Sequence, residues 1–445
     1  MINQNIRKSA ITSKFDSEES RRRMMSKNME SNLAYQYELK DRDIDRIQIL
    51  DSFRERYLDY RRRWKSNPAN AISNRLTGDK FRESKLLPLS VDIEVASICD
   101  LACPFCYRQS VATPDKTMDP DLYYDLVDQC ASMSVPSLKL NWRGEPLLHP
   151  KLPEFIDYAK SKGILEVIIN TNATGLDRAK GKELIKAGLD LMIYSFDGAS
   201  KETYDGMRPG RFKSNSFDVV FNNIREFSNT REAMNAIFPR TKIQMIITNK
   251  TFTEQDKFFD LFEDCVDDVS VKAYTERGGN IGDLSEGEIK NIKERLNISS
   301  LDVPFWRDYA GKLFVSNRRL PCEQPFQRLM VTYDGRVSMC CYDWGMSHPV
   351  GYVSDRGFST GDRDYTDVLE AISSGKKGYA GVMERVQMPK RYAKPSNVVN
   401  SLEEIWYGNG IDKVREAHVT GRLESLAVCK GCPFKDTYEW TAIDE

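Results

Sequence analysis

The sequence predicts an α/β fold in which a partial (β/α)6 barrel lies between an N-terminal helical extension and a small C-terminal α+β domain. Two observations support this prediction. From Leu87 to Tyr274 short apolar strands alternate with helical segments, a pattern typical of a parallel sheet with right-handed crossovers. After Tyr274 the alternation stops, and a hairpin with a second group of cysteines follows.

Length and composition divide the chain into four parts. At 445 residues it is too long for one ordinary core. We expect a flexible charged tail at 1–33, a helical extension at 34–86, the barrel at 87–285 and the C-terminal domain at 286–445. Residues 354–396 have turns rich in Gly, Lys and Arg and are interpreted as an insertion that could cover a substrate.

The balance of charge and the use of cysteine restrict the function. A net charge of -1 offers no general attraction for nucleic acid or an anionic membrane. No apolar run is long enough to span a bilayer, and the first residues lack the apolar core of a secretory signal. Ten cysteines without an export signal indicate thiolates and metal binding rather than disulfides. We therefore expect a reducing, cytoplasmic compartment, with no membrane or nucleic-acid partner.

The helical extension is recognised by its periodicity. Apolar residues recur every three or four positions on one face of a helix: Ile44, Ile47, Leu50, Phe53, Tyr57 and Trp64. Asn67-Pro68 predicts the end of this helix. We expect the helix to pack on the barrel, although a partner-binding helix would show the same pattern. The basic triplet Arg21–Arg23 in the tail fits either phosphate contact or a solvated charged segment.

Six strand–helix units make up the predicted barrel, which is TIM-like but incomplete. The predicted strands are Val91–Ala96, Leu138–Asn141, Glu166–Asn170, Leu191–Ser195, Lys242–Thr248 and Ser270–Tyr274. In such a barrel the chemistry occurs where the carboxyl ends of the strands meet. Polar or glycine-bearing segments follow five of these strands: a cysteine loop, Arg143–Pro146, Thr171-Asn172, Ser195–Gly198 and Thr248-Asn249.

The first strand leads into three cysteines with C-x3-C-x2-C spacing. They are Cys99, Cys103 and Cys106, and the aromatic Phe105 precedes the last of them. Three thiolates on one loop can hold three irons of a cubane cluster and leave the fourth iron open to a small molecule. A structural zinc site would need a fourth local Cys or His. The three histidines lie elsewhere in the sequence: His149, His348 and His418.

This spacing, with its aromatic residue, resembles the signature of the radical S-adenosylmethionine (SAM) enzymes. Residues 141–150, NWRGEPLLHP, resemble the Gly-Gly-Glu-Pro element of that family, with Arg143 in place of the first glycine. The resemblance implies that Arg143, Gly144 and Glu145 receive the SAM amino group through the backbone and the Glu145 carboxylate, which suits an ammonium group. The alternative is that Glu145 is an ordinary surface acid.

The resemblance also implies SAM contacts at later strand ends. Asn172 and Ser195 match positions that reach the ribose and the carboxylate of SAM. Arg208 matches a basic residue whose guanidinium fork pairs with the SAM carboxylate. Phe105 occupies the aromatic position beside the last cysteine. Ile247 matches the residue that packs on the adenine, although a core aliphatic residue would look the same.

A second group of cysteines lies in the C-terminal part. Two predicted strands, Leu329–Tyr333 and Arg336–Met339, form a hairpin through the turn Asp334-Gly335. One cysteine lies on either side of this hairpin, and the segment VCKGCPF adds a C-x2-C pair far downstream. The resulting four thiolates could bind either zinc or an iron–sulfur cluster: Cys322, Cys340, Cys429 and Cys432.

The arrangement of these cysteines resembles the auxiliary-cluster domain called SPASM, in its shortened, twitch-like form. A full SPASM domain would need further cysteines after Cys340, so the resemblance implies one auxiliary [4Fe-4S] cluster held by the four thiolates. Cys341 is then a spare thiol or a replacement for Cys340. Residues 401–418, SLEEIWYGNGIDKVREAH, resemble the helix that commonly precedes the last cysteine pair.

The resemblance implies a radical reaction. The open cluster binds SAM and passes one electron to it, and the resulting 5′-deoxyadenosyl radical takes a hydrogen atom from the substrate. An external one-electron donor such as flavodoxin or ferredoxin would supply the electron. A fully ligated auxiliary cluster could accept the electron left on the substrate. We therefore predict a radical SAM oxidoreductase that oxidises or rearranges a sugar- or cyclitol-like small molecule.

Two other functions remain open at this point. One is a maturase that crosslinks or epimerises a ribosomal peptide. The other is a non-catalytic zinc- or cluster-binding protein, which would not need Arg143–Pro146 and Arg208 at strand ends. Oxidation of an alcohol also needs a base, and Glu276 is a candidate because it lies just past the sixth strand. A solvent-facing acid is the alternative for Glu276.

Overall fold

The computed structural model describes residues 47–273, 287, 290, 291, 294, 305–307, 312–359, 361–375, 395–430, 432, 434 and 437–443. The charged tail, the start of the helical extension, Tyr274, Glu276 and much of the insertion lie outside these residues, and what was expected of them stays a prediction.

Helices and strands alternate along most of the described chain. The strands are β1 Ser90–Ile93, β2 Ser137–Lys139, β3 Glu166–Thr171, β4 Leu191–Ser195, β5 Arg240–Ile247, β6 Asp268–Ala273, β7 Phe305–Arg307, β8 Leu313–Arg319, β9 Arg328–Val331, β10 Arg336–Ser338, β11 Pro349–Tyr352 and β12 Tyr438–Ile443. The helices are α1 Ile47–Ser73, α2 Gly78–Glu83, α3 Pro120–Ser132, α4 Leu152–Ser161, α5 Arg178–Lys186, α6 Lys201–Met207, α7 Phe217–Ala233, α8 Gln255–Phe262, α9 Arg356–Ser359, α10 Gly361–Ser373, α11 Leu402–Trp406, α12 Asn409–Val419 and α13 Ala427–Lys430.

The main sheet has nine strands in the order β11-β10-β9-β1-β2-β3-β4-β5-β6. Strands β1 to β6 pair in parallel with their sequence neighbours, as the strand–helix alternation predicted. A separate antiparallel sheet has the order β12-β8-β7. The α/β class, with a partial barrel and a small C-terminal antiparallel sheet, is confirmed. No helix of the described residues is long and apolar enough to cross a membrane.

The predicted C-terminal hairpin is confirmed, and it extends the barrel sheet. Strands β9 and β10 pair in antiparallel fashion. Strand β9 also pairs in parallel with β1, and Ser90 lies opposite Arg328 while Ile93 lies opposite Val331. Strand β1, which leads into the first cysteine loop, therefore has β2 on one side and the C-terminal hairpin on the other. Pairing across more than 230 residues is not encoded in any local pattern.

The two faces of the sheet differ in polarity. The outer face packs on the helices in one apolar core that includes Val91, Ile93, Leu138, Val167, Ile169, Met192, Ile243, Met245, Val269 and Val271. The alternate positions form what we call the polar inner face, which also holds a small apolar cluster of Ile168, Leu191 and Ile193. Its polar members are Ser90, Asp92, Ser137, Lys139, Asn170, Ser195, Lys242, Gln244, Asp268, Ser270, Lys272 and Arg328. Parallel strands buried on both sides are usually apolar throughout, so this face is suited to a polar ligand.

Helix α1 covers the amino-terminal end of the barrel. Its Tyr60 and Trp64 pack with Leu89 and Leu165, which come directly before β1 and β3. Burial and the neighbouring Glu166 carboxylate raise the pKa of the Tyr60 hydroxyl. The predicted packing of this helix on the barrel is therefore observed for its described part, at the end opposite to the cysteine loop.

The predicted end of this helix at Asn67-Pro68 is wrong. Helix α1 continues to Ser73 with Pro68 inside it. Proline lacks the N–H that would normally bond to the carbonyl of Trp64, four residues earlier. That carbonyl instead accepts a hydrogen bond of 2.7 Å from Nε2 of Gln327. A tertiary contact thus satisfies the acceptor that proline leaves unpaired, and the helix does not have to end.

The docking of α1 can be tested with two substitutions on the same helix. We expect Tyr60→Ala to lower the free energy of unfolding by about 3 kcal/mol, because it leaves a cavity under a fully buried ring. Leu58→Ala, at a position that is 46% exposed, should change it by less than about 0.5 kcal/mol. Chemical denaturation measures both. Equal effects of the two substitutions would mean that the helix does not pack on the barrel.

Candidate active site

The three cysteines of the first loop lie together after β1. Cys103 is buried, and Cys99 and Cys106 are partly buried. The thiols of Cys99 and Cys106 are both close enough to Cys103 to affect its ionisation. Burial, more than any neighbouring charge, raises the pKa of Cys99 to about 12 and also raises that of Cys103. Burial thus favours the protonated thiols of Cys99 and Cys103, whose protons a metal would replace.

Main-chain contacts with the segment after α6 hold this loop in place. The amide of Ala102 donates to the carbonyl of Pro209 at 2.9 Å, and the amide of Arg211 donates to Asp100 at 2.7 Å. The Arg211 guanidinium binds both oxygens of Asp115, at 2.8 and 2.9 Å. These contacts fix the cysteine loop against the part of the chain that carries Arg208.

Gly144 is required by the close approach of the backbone to the cysteine loop. A Cβ atom at this position would lie 2.3 Å from the carbonyl oxygen of Ala96 and 2.5 Å from that of Ile98. The amide of Glu145 donates to the same Ile98 carbonyl at 2.8 Å. The second glycine of the predicted motif therefore has a steric cause that is independent of any cofactor.

Glu145 is buried, so its interpretation as a surface acid is wrong. Its carboxylate accepts hydrogen bonds from Thr171 Oγ1 at 2.7 Å and from the amides of Asn172 and Leu147 at 2.7 and 3.0 Å. Burial and the neighbouring Asp100 raise the pKa of Glu145 to about 7. Because burial makes the Glu145 carboxyl costly to ionise, a cationic partner such as the SAM ammonium group would stabilise its charged form.

Asn172 lies in the same network. Its Nδ2 donates to Oδ1 of Asp100 at 2.8 Å, and Thr174 donates to the other Asp100 oxygen at 2.5 Å. Asp100 comes directly after Cys99, so the network connects the end of β3 to the cysteine loop. Asp100 was not recognised in the sequence because a single acid beside a cysteine carries no signal of its own.

Arg208 also lies beside the cysteine loop. Its guanidinium is close to Cys103 and is 5.8 Å from the centre of the Phe105 ring. It forms a buried ion pair with Asp197, at 2.6 and 2.8 Å. The other Asp197 oxygen accepts the amide of Ile246 at 2.6 Å. This pairing fixes one edge of the Arg208 guanidinium beside the cysteines. The sequence indicated Asp197 only as a member of the polar segment that follows β4.

The side chain of Arg143 is directed away from the predicted SAM position. It forms an ion pair of 2.6 and 2.7 Å with Glu94, and both side chains are fully buried. It also donates to the Tyr365 hydroxyl at 2.7 Å and to the Trp344 carbonyl at 3.1 Å. The prediction that Arg143 contacts SAM can therefore apply to its main chain alone.

The remaining predicted site residues are more dispersed. Ser195 ends β4 on the polar inner face and is partly buried. Ile247 is fully buried in the outer core with Phe258 and Phe262, which is the position of a core aliphatic residue. Its contact with adenine stays a prediction.

Five cysteines gather in the C-terminal part, and they include all four predicted ligands. The thiols of Cys341, Cys429 and Cys432 influence the ionisation of both Cys322 and Cys340, which brings the five together. Burial is the main cause of the raised pKa of Cys322, Cys340 and Cys429, with the last at about 12. Cys341, predicted to be a spare thiol, is part of the group.

The donor sets fit iron–sulfur clusters. Both groups offer thiols, the ligand that such clusters prefer, and the first group offers three on one loop. Within the described ranges no three Cys, His, Asp or Glu side chains converge on one metal ion. Ligands of a cubane cluster bind different irons and are spaced more widely than those of zinc.

Aromatic side chains connect the two cysteine groups. Tyr107, next to Cys106, lies with its ring centre 6.3 Å from that of Trp344, in the loop after Cys341. Nε1 of Trp142 donates to the carbonyl of Cys341 at 3.0 Å. The loop after β10, which carries part of the second group, is therefore packed against the loops of the first.

Comparison with known families identifies both parts of the chain. Residues 93–238 match the Radical SAM superfamily, and residues 322–361 match SPASM, an iron-sulfur cluster-binding domain. The chain therefore contains a radical SAM domain and a SPASM domain. It therefore uses SAM and a [4Fe-4S] cluster, and its SPASM domain binds further iron–sulfur.

Curated relatives share mainly the radical SAM part. A GTP 3',8-cyclase of Chlorobaculum tepidum is 36% identical over 125 residues, which are 28% of this chain and 37% of the relative. A PqqA peptide cyclase of Xanthomonas euvesicatoria is 31% identical over 134 residues, which are 29% of this chain and 36% of the relative. The chain thus spans little more than a third of the length of these relatives.

Solved structures of similar fold have low identity. Streptococcus suis SuiB bound to the precursor peptide SuiA is 15% identical, covers 81% of this chain and 78% of that one, and has a TM-score of 0.48. BtrN in complex with AdoMet and 2-DOIA is 16% identical, covers 79% of this chain and 99% of that one, and has a TM-score of 0.42.

The steric role of Gly144 gives a prediction. Gly144→Ala should weaken SAM binding and destabilise the protein by about 1–3 kcal/mol, because its Cβ meets backbone atoms that cannot move independently. Gly206→Ala is the matched control, since a Cβ there meets nothing within 4 Å. Calorimetric SAM titration and thermal unfolding measure the two effects. If Gly144→Ala bound SAM as tightly as the wild type, the backbone at position 144 would not be part of the SAM site.

The raised pKa of Glu145 gives a second prediction. Below pH 7 the carboxyl group is mostly protonated, and above pH 7 it is mostly ionised. SAM binding should therefore tighten as the pH rises through 7, and SAM should displace a proton from Glu145 near neutral pH. Calorimetry in buffers of different ionisation enthalpy measures this release. Glu145→Gln should abolish both effects, and an unchanged pH profile in this variant would refute the assignment.

The same group links stability to pH. The pKa of Glu145 is higher in the folded protein than its ordinary value of 4.5, so the folded state holds a proton that the unfolded state loses. The stabilisation from this proton is complete below pH 4.5 and is lost as the pH rises through 7.

Proposed function

We propose that this radical SAM enzyme oxidises a hydroxylated small molecule, a sugar or a cyclitol, and that an auxiliary iron–sulfur cluster accepts the second electron. The polar inner face of the barrel carries this proposal. Nε2 of Gln244 and Oδ1 of Asn170 are buried there without a hydrogen-bond partner. Buried polar atoms are rarely left unpaired, and the hydroxyl groups of a substrate would pair them.

The charged groups of the inner face suit a hydroxylated substrate. Arg328 lies 3.3 Å from Asp92, and Lys242 is paired with Asp268. Within each of these two pairs the charges neutralise one another across neighbouring strands, while Lys139 and Lys272 add two further cations to the same face. A polyol, which has many donors and acceptors, matches such a lining.

The proposed reaction removes two hydrogens from one alcohol carbon and its hydroxyl group. Held by Cys99, Cys103 and Cys106, the first cluster would supply one electron for the cleavage of SAM, and the adenosyl fragment would take the C–H hydrogen of the substrate. A base would take the hydroxyl proton, and the auxiliary cluster held by Cys322, Cys340, Cys429 and Cys432 would accept the remaining electron, which leaves a carbonyl product. Glu276 stays the proposed base by its position in the sequence.

The residues of the chain prepare this chemistry. Glu145 and Arg208 are proposed to hold the amino and carboxylate groups of SAM beside the cysteine loop. Helix α1 covers the amino-terminal end of the barrel and helps to exclude water from a reactive radical. The contact between Tyr107 and Trp344 supports electron exchange between the two cysteine groups, because it brings their loops together.

A ribosomal-peptide maturase is the second candidate. The similarity to a PqqA peptide cyclase favours it, but that similarity covers 29% of this chain. A peptide would need a longer groove than a sugar. The paired charges inside the barrel would provide hydrogen bonds to only a short part of an extended peptide. Incubation with sugars, cyclitols and short peptides, with SAM and a reductant, separates the candidates. A modified peptide with no oxidised polyol would overturn our proposal.

The two cysteine groups should differ in what they support. Cys99→Ala should abolish SAM cleavage, because it removes a ligand of the open cluster. Cys429→Ala should keep some uncoupled cleavage but lose substrate oxidation, because the electron acceptor is gone. Measurement of 5′-deoxyadenosine and oxidised product distinguishes these outcomes. Retained substrate oxidation in Cys429→Ala would eliminate the redox role of the second group.

Metal content provides the control for this comparison. The reconstituted wild type should contain about eight irons per chain, as two [4Fe-4S] clusters require, and either variant should contain about four. Cys265→Ala changes a buried cysteine that lies in the apolar core and should leave the iron content unchanged. About four irons with bound zinc in the wild type would refute the electron-acceptor proposal.

A further inference from the structure

His418 lies between two cysteines of the second group. It is on α12 and is 2% exposed. Its Nδ1 accepts a hydrogen bond of 3.0 Å from the backbone amide of Cys322. Its Nε2 lies 3.7 Å from Sγ of Cys429. One imidazole ring therefore contacts the main chain of one proposed ligand and the thiol of another.

These contacts determine the tautomer of the ring. An amide N–H can only donate, so Nδ1 of His418 must be the unprotonated nitrogen. The neutral ring then carries its proton on Nε2, which faces Cys429. A metal-bound histidine has the opposite arrangement, since its free ring nitrogen carries the proton and donates it to an acceptor. The geometry thus makes His418 a hydrogen-bond donor to sulfur and not a ligand.

We propose that His418 is a positioning residue of the auxiliary cluster, and that its Nε2–H donates to the Cys429 thiolate and raises the reduction potential of that cluster. Reduction adds one negative charge, which spreads onto the sulfur ligands. A donor that faces one of those sulfurs stabilises the reduced form more than the oxidised form. The inference rests on the proposed function in taking Cys429 as a ligand.

A neighbouring cation acts in the same direction, whereas the Asp343 carboxylate near Cys429 acts against it. The guanidinium of Arg319 influences both Cys429 and Cys432 and lies 4.1 Å from the centre of the Tyr438 ring. The Tyr438 hydroxyl donates to the carbonyl of Cys432 at 2.8 Å. A fixed positive charge beside the thiolates also favours an added electron. Such surroundings suit a cluster that accepts an electron from a substrate radical.

The test measures the potential of the second cluster in isolation. In the full chain, replacement of Cys99, Cys103 and Cys106 by Ala leaves that cluster as the one that loads. We expect His418→Leu in this background to shift its midpoint potential to a more negative value, as followed by redox titration with electron paramagnetic resonance. His418→Gln should restore the potential, because its amide can accept from Cys322 and donate to Cys429.

A second buried histidine provides the matched control. His149 is also 2% exposed, and it contacts the Met118 carbonyl and the Lys151 amide instead of the cysteines. His149→Leu should leave the midpoint potential unchanged. An unchanged potential in His418→Leu, with full iron content, would overturn the proposal.

A measurement without substitution covers the case in which His418→Leu fails to assemble its cluster. In protein with 15N-labelled histidine, the reduced cluster should show a weakly coupled nitrogen and an exchangeable proton near one sulfur. A strongly coupled nitrogen, bound directly to iron, or no histidine coupling at all would refute the hydrogen bond. None of these measurements uses SAM or substrate, so their failure is separate from a failure of the proposed oxidation.

Discussion

The buried ion pair between Arg143 and Glu94 is the interaction on which the arrangement of the site depends. It joins the segment after β1, which carries the first cysteines, to the segment after β2, which carries Gly144. The same guanidinium holds the Trp344 carbonyl, and so it also positions the loop of the second cysteine group. Loss of one partner would leave a buried charge unpaired, at a cost of about 3–5 kcal/mol. A glycine at position 143 could not make these contacts.

Pairing of β9 with β1 has a similar consequence at the level of the sheet. The matched radical SAM and SPASM regions contribute strands to one continuous sheet, in which hydrogen bonds fix the register between them. A flexible connection would allow the distance between the two cysteine groups to vary, whereas a shared sheet does not. Electron exchange falls steeply with distance, so a rigid connection is what a second redox centre needs. The contact of Tyr107 with Trp344 lies at this junction.

The barrel combines a covered amino-terminal end with a polar interior. Aromatic residues of α1 pack below the first and third strands, while the alternate residues of the strands keep charges and amides inside. Burial of so many polar groups costs stability unless they are paired. Nε2 of Gln244 and Oδ1 of Asn170 are buried without a hydrogen-bond partner, and the proposed polyol substrate would provide one for each.

Local sequence patterns determined the six strand–helix units, the C-terminal hairpin and both cysteine groups, because period, turn residues and ligand spacing are properties of short segments. The tertiary structure decided what local patterns cannot contain. It assigned Asp197 to Arg208, Glu94 to Arg143 and His418 to the second cysteine group, since each of these contacts depends on how the backbone folds between the partners and not on a local repeat. It also let α1 continue through Pro68, because Gln327, more than 200 residues away, donates the hydrogen bond to Trp64 that the proline N–H would have donated. The spacing of the three cysteines after β1 indicated the radical SAM chemistry, and tertiary contacts determine which residues surround those cysteines.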